Sequence, residues 1–116
     1  GALGFDTIAA ETVIEMREKY QNIKLVMYLP CYGQSKMWKE SEQFRYRMVL
    51  SKADKIIYIT ESVYTDDCMK LRNLKMIKDS SFCIAFCLMQ KSGTGFTLRN
   101  AENVGIEIVN IADEIY

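Results

Sequence analysis

Residues 81–100 read SFCIAFCLMQKSGTGFTLRN. An apolar run over 81–88 leads into a cluster of serine, glycine and threonine, and that cluster opens a helical stretch. The run has strand length and is bounded by turn residues. Strand, glycine loop and helix in that order form the repeating unit of an α/β protein. The order recurs along the chain. Residues 6–19, DTIAAETVIEMREK, place Ile8, Ala9, Thr12, Val13 and Met16 at helical spacing, with Asp6 expected as the N-cap. IKLVMYLP, 23–30, reads as a buried strand stopped by the single proline. MWKESEQFRYRMVLSKA, 37–53, is a second helix and KIIYIT, 55–60, a second strand. DCMKLRNLKMIKDS, 67–80, is a third helix, capped by Asp66 or Asp67. A helix over 96–104 ends at Gly105, and IEIVNI, 106–111, follows as a fourth strand.

Strands without strict alternation, separated by helices, point to a mostly parallel sheet covered on both faces. The expected fold is α/β, a three-layer Rossmann-like sandwich, with residues 1–116 forming one domain. Fifteen basic residues balance fifteen acidic ones, which argues against a nucleic-acid-binding protein built on a basic face. No apolar run approaches the roughly 20 residues of a membrane span, so no membrane association is expected. The four cysteines, Cys31, Cys68, Cys83 and Cys87, form no CxxC pair, and histidine is absent. No metal site is expected, and Cys83 and Cys87 read as packed thiols in a reducing cytoplasm. Without histidine, acid–base chemistry falls to carboxylates, lysine, tyrosine or cysteine.

Two glycine loops precede helices. GALGFD, 1–6, ends on the helix expected from Asp6, and SGTGFT, 92–97, adds the hydroxyls of Ser92, Thr94 and Thr97 to Gly93 and Gly95. Small residues admit a ligand to the backbone, and helix N-termini favour phosphate. In a parallel sheet both loops fall at the carboxyl ends of the strands, where ligands bind. Arg72 and Asn73 lie about one turn into a helix that starts at the same edge. Arginine offers a fork to phosphate, and asparagine can read a hydroxyl or amide. Trp38 either stacks on a base or anchors its helix to the sheet.

GALGFD, LPCYGQ followed by Trp38, Arg45 and Tyr46, CMKLRN, and SGTGFTLRNA together resemble the YpsA-like branch of the SLOG superfamily, Rossmann-like domains related to the DprA and LOG proteins. The resemblance covers essentially the whole chain. It implies a pocket for a nucleotide or nucleotide-derived ligand, lined by Gly1, Ala2, Gly4 and Asp6 from the first loop, Arg72 and Asn73 from the helix, and Ser92, Gly93, Thr94 and Thr97 from the second loop. No further cofactor is expected. Ser92 departs from the family's usual glycine, and Lys78 from an often acidic position. LOG phosphoribohydrolases carry MxxRKxxM and PGGxGTxxE. Met69, Arg72 and Met76 match the first pattern, whereas the glutamate of the second is replaced by Arg99 and its threonine by Phe96.

Cleavage of an N-glycosidic bond develops positive charge on ribose, which a carboxylate stabilises and a guanidinium opposes. The expected role is therefore ligand binding by a sensor or regulator, with no catalytic residue assigned. Two alternatives stand beside it: a phosphoribohydrolase-like enzyme using Asp6 or Glu11, and a protein-interaction module with an idle pocket. The resemblance also implies a strand, helix and strand ahead of GALGFD that this chain lacks. In a sheet of order 3-2-1-4-5 their loss leaves 23–29 beside a gap, free to pair with 55–60. An open edge invites a homodimer.

Overall fold

The computed structural model describes residues 4–30, 35–59, 67–89 and 91–115, and the chain is α/β. Its elements run α1 (Phe5–Lys19), β1 (Val26–Leu29), α2 (Glu40–Lys52), β2 (Lys55–Tyr58), α3 (Cys68–Lys78), β3 (Phe82–Ala85), α4 (Gly93–Val104), β4 (Glu107–Asn110) and α5 (Ile111–Ile115). The contacts divide the chain into two compact units, Gly1–Cys68 and Met69–Tyr116. Each carries one parallel strand pair, as expected of a Rossmann-like α/β protein.

In the first unit β1 pairs with β2, Val26 opposite Lys55 and Leu29 opposite Tyr58. This is the closing-up of 23–29 on 55–60 anticipated from the sequence. Side chains alternate along a strand, so Leu25, Met27 and Leu29 share one face. They form a core with Ala10 of α1 and Val49 of α2, and Val13, Ile14, Tyr46 and Leu50 pack around it. Leu29 is 1% exposed, and burying a leucine fully contributes about 1.5–3 kcal/mol.

One carboxylate ties the start of β1 to the start of β2. Asp54 Oδ2 accepts from the Leu25 backbone N–H and from Arg17 Nη1 of α1, both at 2.7 Å. In the second unit β3 pairs with β4, Phe82 opposite Glu107 and Ala85 opposite Asn110. Helix α4 packs on both strands, and α5 packs against β3.

Several boundaries differ from the sequence reading, four of them with a visible cause. The N-cap of α1 is Gly4, not Asp6; Gly4 takes a positive φ of 79° that strains any side chain, and Asp6 sits inside the first turn. Helix α2 starts at Glu40, not Met37, because Gln43 Nε2 donates to the carbonyls of Ser35, Lys36 and Trp38 and holds 35–38 as a turn. Helix α4 starts at Gly93 instead of 96, so the second glycine loop is itself a helical first turn. The fourth strand stops at Asn110 and a short helix follows, since Asn110 Oδ1 accepts from the Ala112 N–H. Gly105 closes α4 as expected, with φ 81° and its N–H shared between Ala101 O and Glu102 O.

The Asp54 carboxyl is held below the ordinary carboxylate range, first by the Leu25 N–H and then by Arg17. A depressed folded value means that the contribution is complete above the ordinary carboxylate pKa, about 3.9, and is lost as pH falls toward the lower folded value. The Asp54→Ala variant is expected to melt below the parent at neutral pH. The gap should close as thermal scans move down through that acid window; a gap of constant size would place the stabilisation elsewhere.

Candidate functional site

Helix α4 is built to begin where it does. Ser92 is extended, at φ −79° and ψ 172°, and its Oγ accepts from the Gly95 N–H at 3.0 Å. Its hydroxyl donates to Met89 O at 2.6 Å, and its backbone carbonyl accepts from Phe96 N. Ser92 is thus committed to capping the helix. Of the first-turn donors, those of Gly95 and Phe96 are taken within the loop, while those of Gly93 and Thr94 lead out of the helix end. Thr97 Oγ1 donates back to Gly93 O at 3.1 Å.

A methyl group placed on Gly93 would meet nothing within 4 Å. The backbone here opens onto free space, and Gly93 needs no left-handed conformation. The first turn of α4 holds no acidic residue, whereas that of α1 holds Asp6. A carboxylate there offsets the positive end of the helix, so α4 suits an anion better than α1 does. Gly1 and Ala2 lie outside the described residues.

On α3 the structure brings Arg72 and Asn73 together. Arg72 is 5% exposed, and its Nε donates to Asn73 Oδ1 at 2.6 Å. Its Nη1 is buried without any hydrogen-bond partner. A guanidinium keeps its charge, and burying it unpaired costs several kcal/mol. On the same helix, Lys70 Nζ lies 5.5 Å above the ring of Phe96 of α4.

A cleft of about 600 Å³ continues from Gly95 along α4 and is lined by Leu98, Arg99 and Glu102 of that helix, Cys87 and Leu88, Ile108 and Asn110 of β4, and Asp113. Arg99, which replaces the LOG-type glutamate, therefore faces a cleft. The cleft wall is held by Asn110. Its Nδ2 donates to Cys87 O and its Oδ1 accepts from Cys87 N, both at 3.0 Å, which continues the β3–β4 pairing through a side chain. Cys87 Sγ in turn donates to Met89 O at 3.4 Å. Sequence reasoning missed Asn110, and the only sign of it was an asparagine closing an apolar run.

Other candidates resolve into structural roles. Glu11 is paired with Arg45 through two hydrogen bonds, one at 2.9 Å, and this pairing holds its carboxyl below the usual range. A proton carrier needs a freer carboxylate. The Trp38 ring meets Tyr46 of α2 edge-on at 5.0 Å. Burial pushes the Cys83 thiol up, as for a packed cysteine. Among the described residues there is no cluster able to hold a metal and no helix long and apolar enough to cross a membrane.

Comparison with known proteins agrees with the sequence motifs. The YpsA profile, described as the YspA SLOG family, matches residues 1–105. A UPF0398 protein of Bacillus cereus (strain B4264) is 35% identical over 95 residues, which is 81% of this chain and 52% of that protein. A UPF0398 protein of Bacillus thuringiensis (strain Al Hakam) is 34% identical over the same shares. The chain thus spans about half the length of these curated relatives.

The open space at Gly93 yields a direct test. If the fold required this glycine, alanine would destabilise the protein. Here alanine fits, so Gly93→Ala is expected to leave the thermal midpoint unchanged or to raise stability by up to about 1 kcal/mol. A clear loss in thermal unfolding would show the position to be structural.

Proposed function

The chain belongs to the YspA SLOG family, and from that premise we propose that it binds a nucleotide or nucleotide-derived ligand through a phosphate group at α3 and α4, as a sensor or regulator rather than a catalyst. One observation carries the reading: the buried Arg72 guanidinium with no partner for Nη1. An anion arriving from outside would satisfy this group and relieve the cost of burying it. The open first turn of α4, with the N–H groups of Gly93 and Thr94, also favours an anion, and Lys70 of α3 reaches the Phe96 ring of that helix. Asn73, held by Arg72, takes a hydroxyl or amide of the same ligand. Binding without breakdown follows from Arg99 at the cleft, because its charge opposes the cation that glycosidic cleavage creates.

The reading places the chain in a reducing compartment such as the cytoplasm, in keeping with the free thiols of Cys68, Cys83 and Cys87. It also includes self-association of the first unit, where Val26, Ile56 and Tyr58 are exposed. Sedimentation should then show a mass that rises with concentration, and a monomer at every concentration would remove that part of the reading.

Arg72→Met tests the binding site. Without ligand the variant should be as stable as the parent or more so, because a buried unpaired charge has been replaced by an apolar side chain. A ligand at a hundred times its Kd should stabilise the parent by about 2.7 kcal/mol. Thermal shifts against nucleoside mono- and diphosphates are expected to show this in the parent and to lose it in Arg72→Met. A variant that unfolds readily without ligand, or that responds to ligand like the parent, would overturn the assignment.

A further inference from the structure

Helices α1 and α2 carry apolar residues on the side turned away from their core. A surface helix ordinarily sets charged and polar residues there. On α1 the core side holds Thr7, Ala10 and Ile14, while Ile8 and Met16 lie on the opposite side, Ile8 being 54% exposed. On α2 the core side holds Val49, while Phe44 and Met48, four residues apart, lie outward, with Phe44 60% exposed. Two ion pairs fix how the helices lie. Glu11 in the middle of α1 meets Arg45 in the middle of α2, and Arg17 near the end of α1 meets Asp54, just past the end of α2. The helices therefore run side by side in the same direction, and their outward residues form one apolar face.

The charges on this face are sorted by helix. In the second half of α1, Glu15 and Glu18 are exposed and have no partner among the described residues, while Lys19 lies over the Tyr20 ring. In the second half of α2 the exposed charges without a partner among the described residues are Arg47 and Lys52. A two-fold interface sets a patch against itself, so each group must find its complement elsewhere in the same patch. A face of one sign repels its own copy, whereas a face with an acidic half and a basic half matches it. With the two-fold axis along the helices, α1 lies over α2 of the other copy in the same direction. Glu15 and Glu18 then meet the partner's Arg47 and Lys52, and Ile8, Met16, Phe44 and Met48 are covered. The fifteen basic and fifteen acidic residues of the chain add no net repulsion. From this self-complementary pattern we propose that the outward face of α1 and α2 binds a second copy of this chain in a two-fold, four-helix interface. It uses none of the residues assigned to the anion site, and none of Val26, Ile56 and Tyr58.

Charge reversal tests the pairing. Sedimentation at low salt over a range of concentrations should show the parent associating. In Glu15→Lys and in Arg47→Glu the dissociation constant should rise about tenfold, because two attractive pairs per dimer become repulsive. An equal mixture of the two variants should associate like the parent, since a mixed dimer sets reversed charge against reversed charge and parent charge against parent charge. Both positions are exposed, so each variant folds like the parent. Association equal in the parent and both variants would overturn the helix face and leave self-association to the strand edge. Association weakened in each variant but not restored by mixing would overturn the two-fold pairing of α1 on α2. A parent that is a monomer at every concentration would overturn this interface together with the strand-edge association, and leave the anion site standing.

Discussion

The hydrogen bond from the Gly95 N–H to Ser92 Oγ sets the start of α4, and the α4 side of the candidate site takes its geometry from there. An uncapped helix end would fray and shift its first turn. Ser92 is itself located by Met89, whose carbonyl accepts from both the Ser92 hydroxyl and the Ser92 N–H. Met89 also receives the Cys87 thiol, and Asn110 clamps the backbone of Cys87. A short relay of polar contacts thus carries the register of the β3–β4 pair into the helix end. A serine in place of the family's usual glycine is, in this light, a capping residue.

Stability and site chemistry are drawn apart in this chain. Charges with structural duties are paired: Asp54 with Arg17 and Leu25, Glu11 with Arg45, Lys75 with Asp79. Arg72 is buried with one nitrogen unmatched, while Glu102 and Asp113 line a cleft with no partner of their own. Isolated surface pairs contribute little, so the paired groups mainly position elements. Of the unpaired ones only Arg72 is buried, so the cost of leaving a charge unmatched falls on it.

The two glycine loops look alike in sequence and differ in physics. Gly4 is needed for its positive φ, which turns the chain into α1, and the following Asp6 makes that helix end less receptive to anions. Gly93 adopts an ordinary conformation and faces open space. Glycine composition cannot separate these cases, because backbone freedom and room for a ligand call for the same residue.

Sequence alone determined the alternation of the first four helices with the four strands and the end of α4 at Gly105, and it left 23–29 free to pair with 55–60. Hydrophobic runs, helical spacing and a left-handed glycine are local signals, and each is written in consecutive residues. It also singled out Arg72, Asn73 and the second glycine loop by residue type and spacing. Only the tertiary structure decided which of these groups are free to act. That Glu11 is tied to Arg45, that Ser92 is spent on a cap, and that Asn110 builds the cleft wall all depend on partners three to 34 residues away. Burial without a partner is likewise a property of the folded surroundings: an arginine in a sequence carries the same charge everywhere, and packing alone leaves the Nη1 of Arg72 unsatisfied.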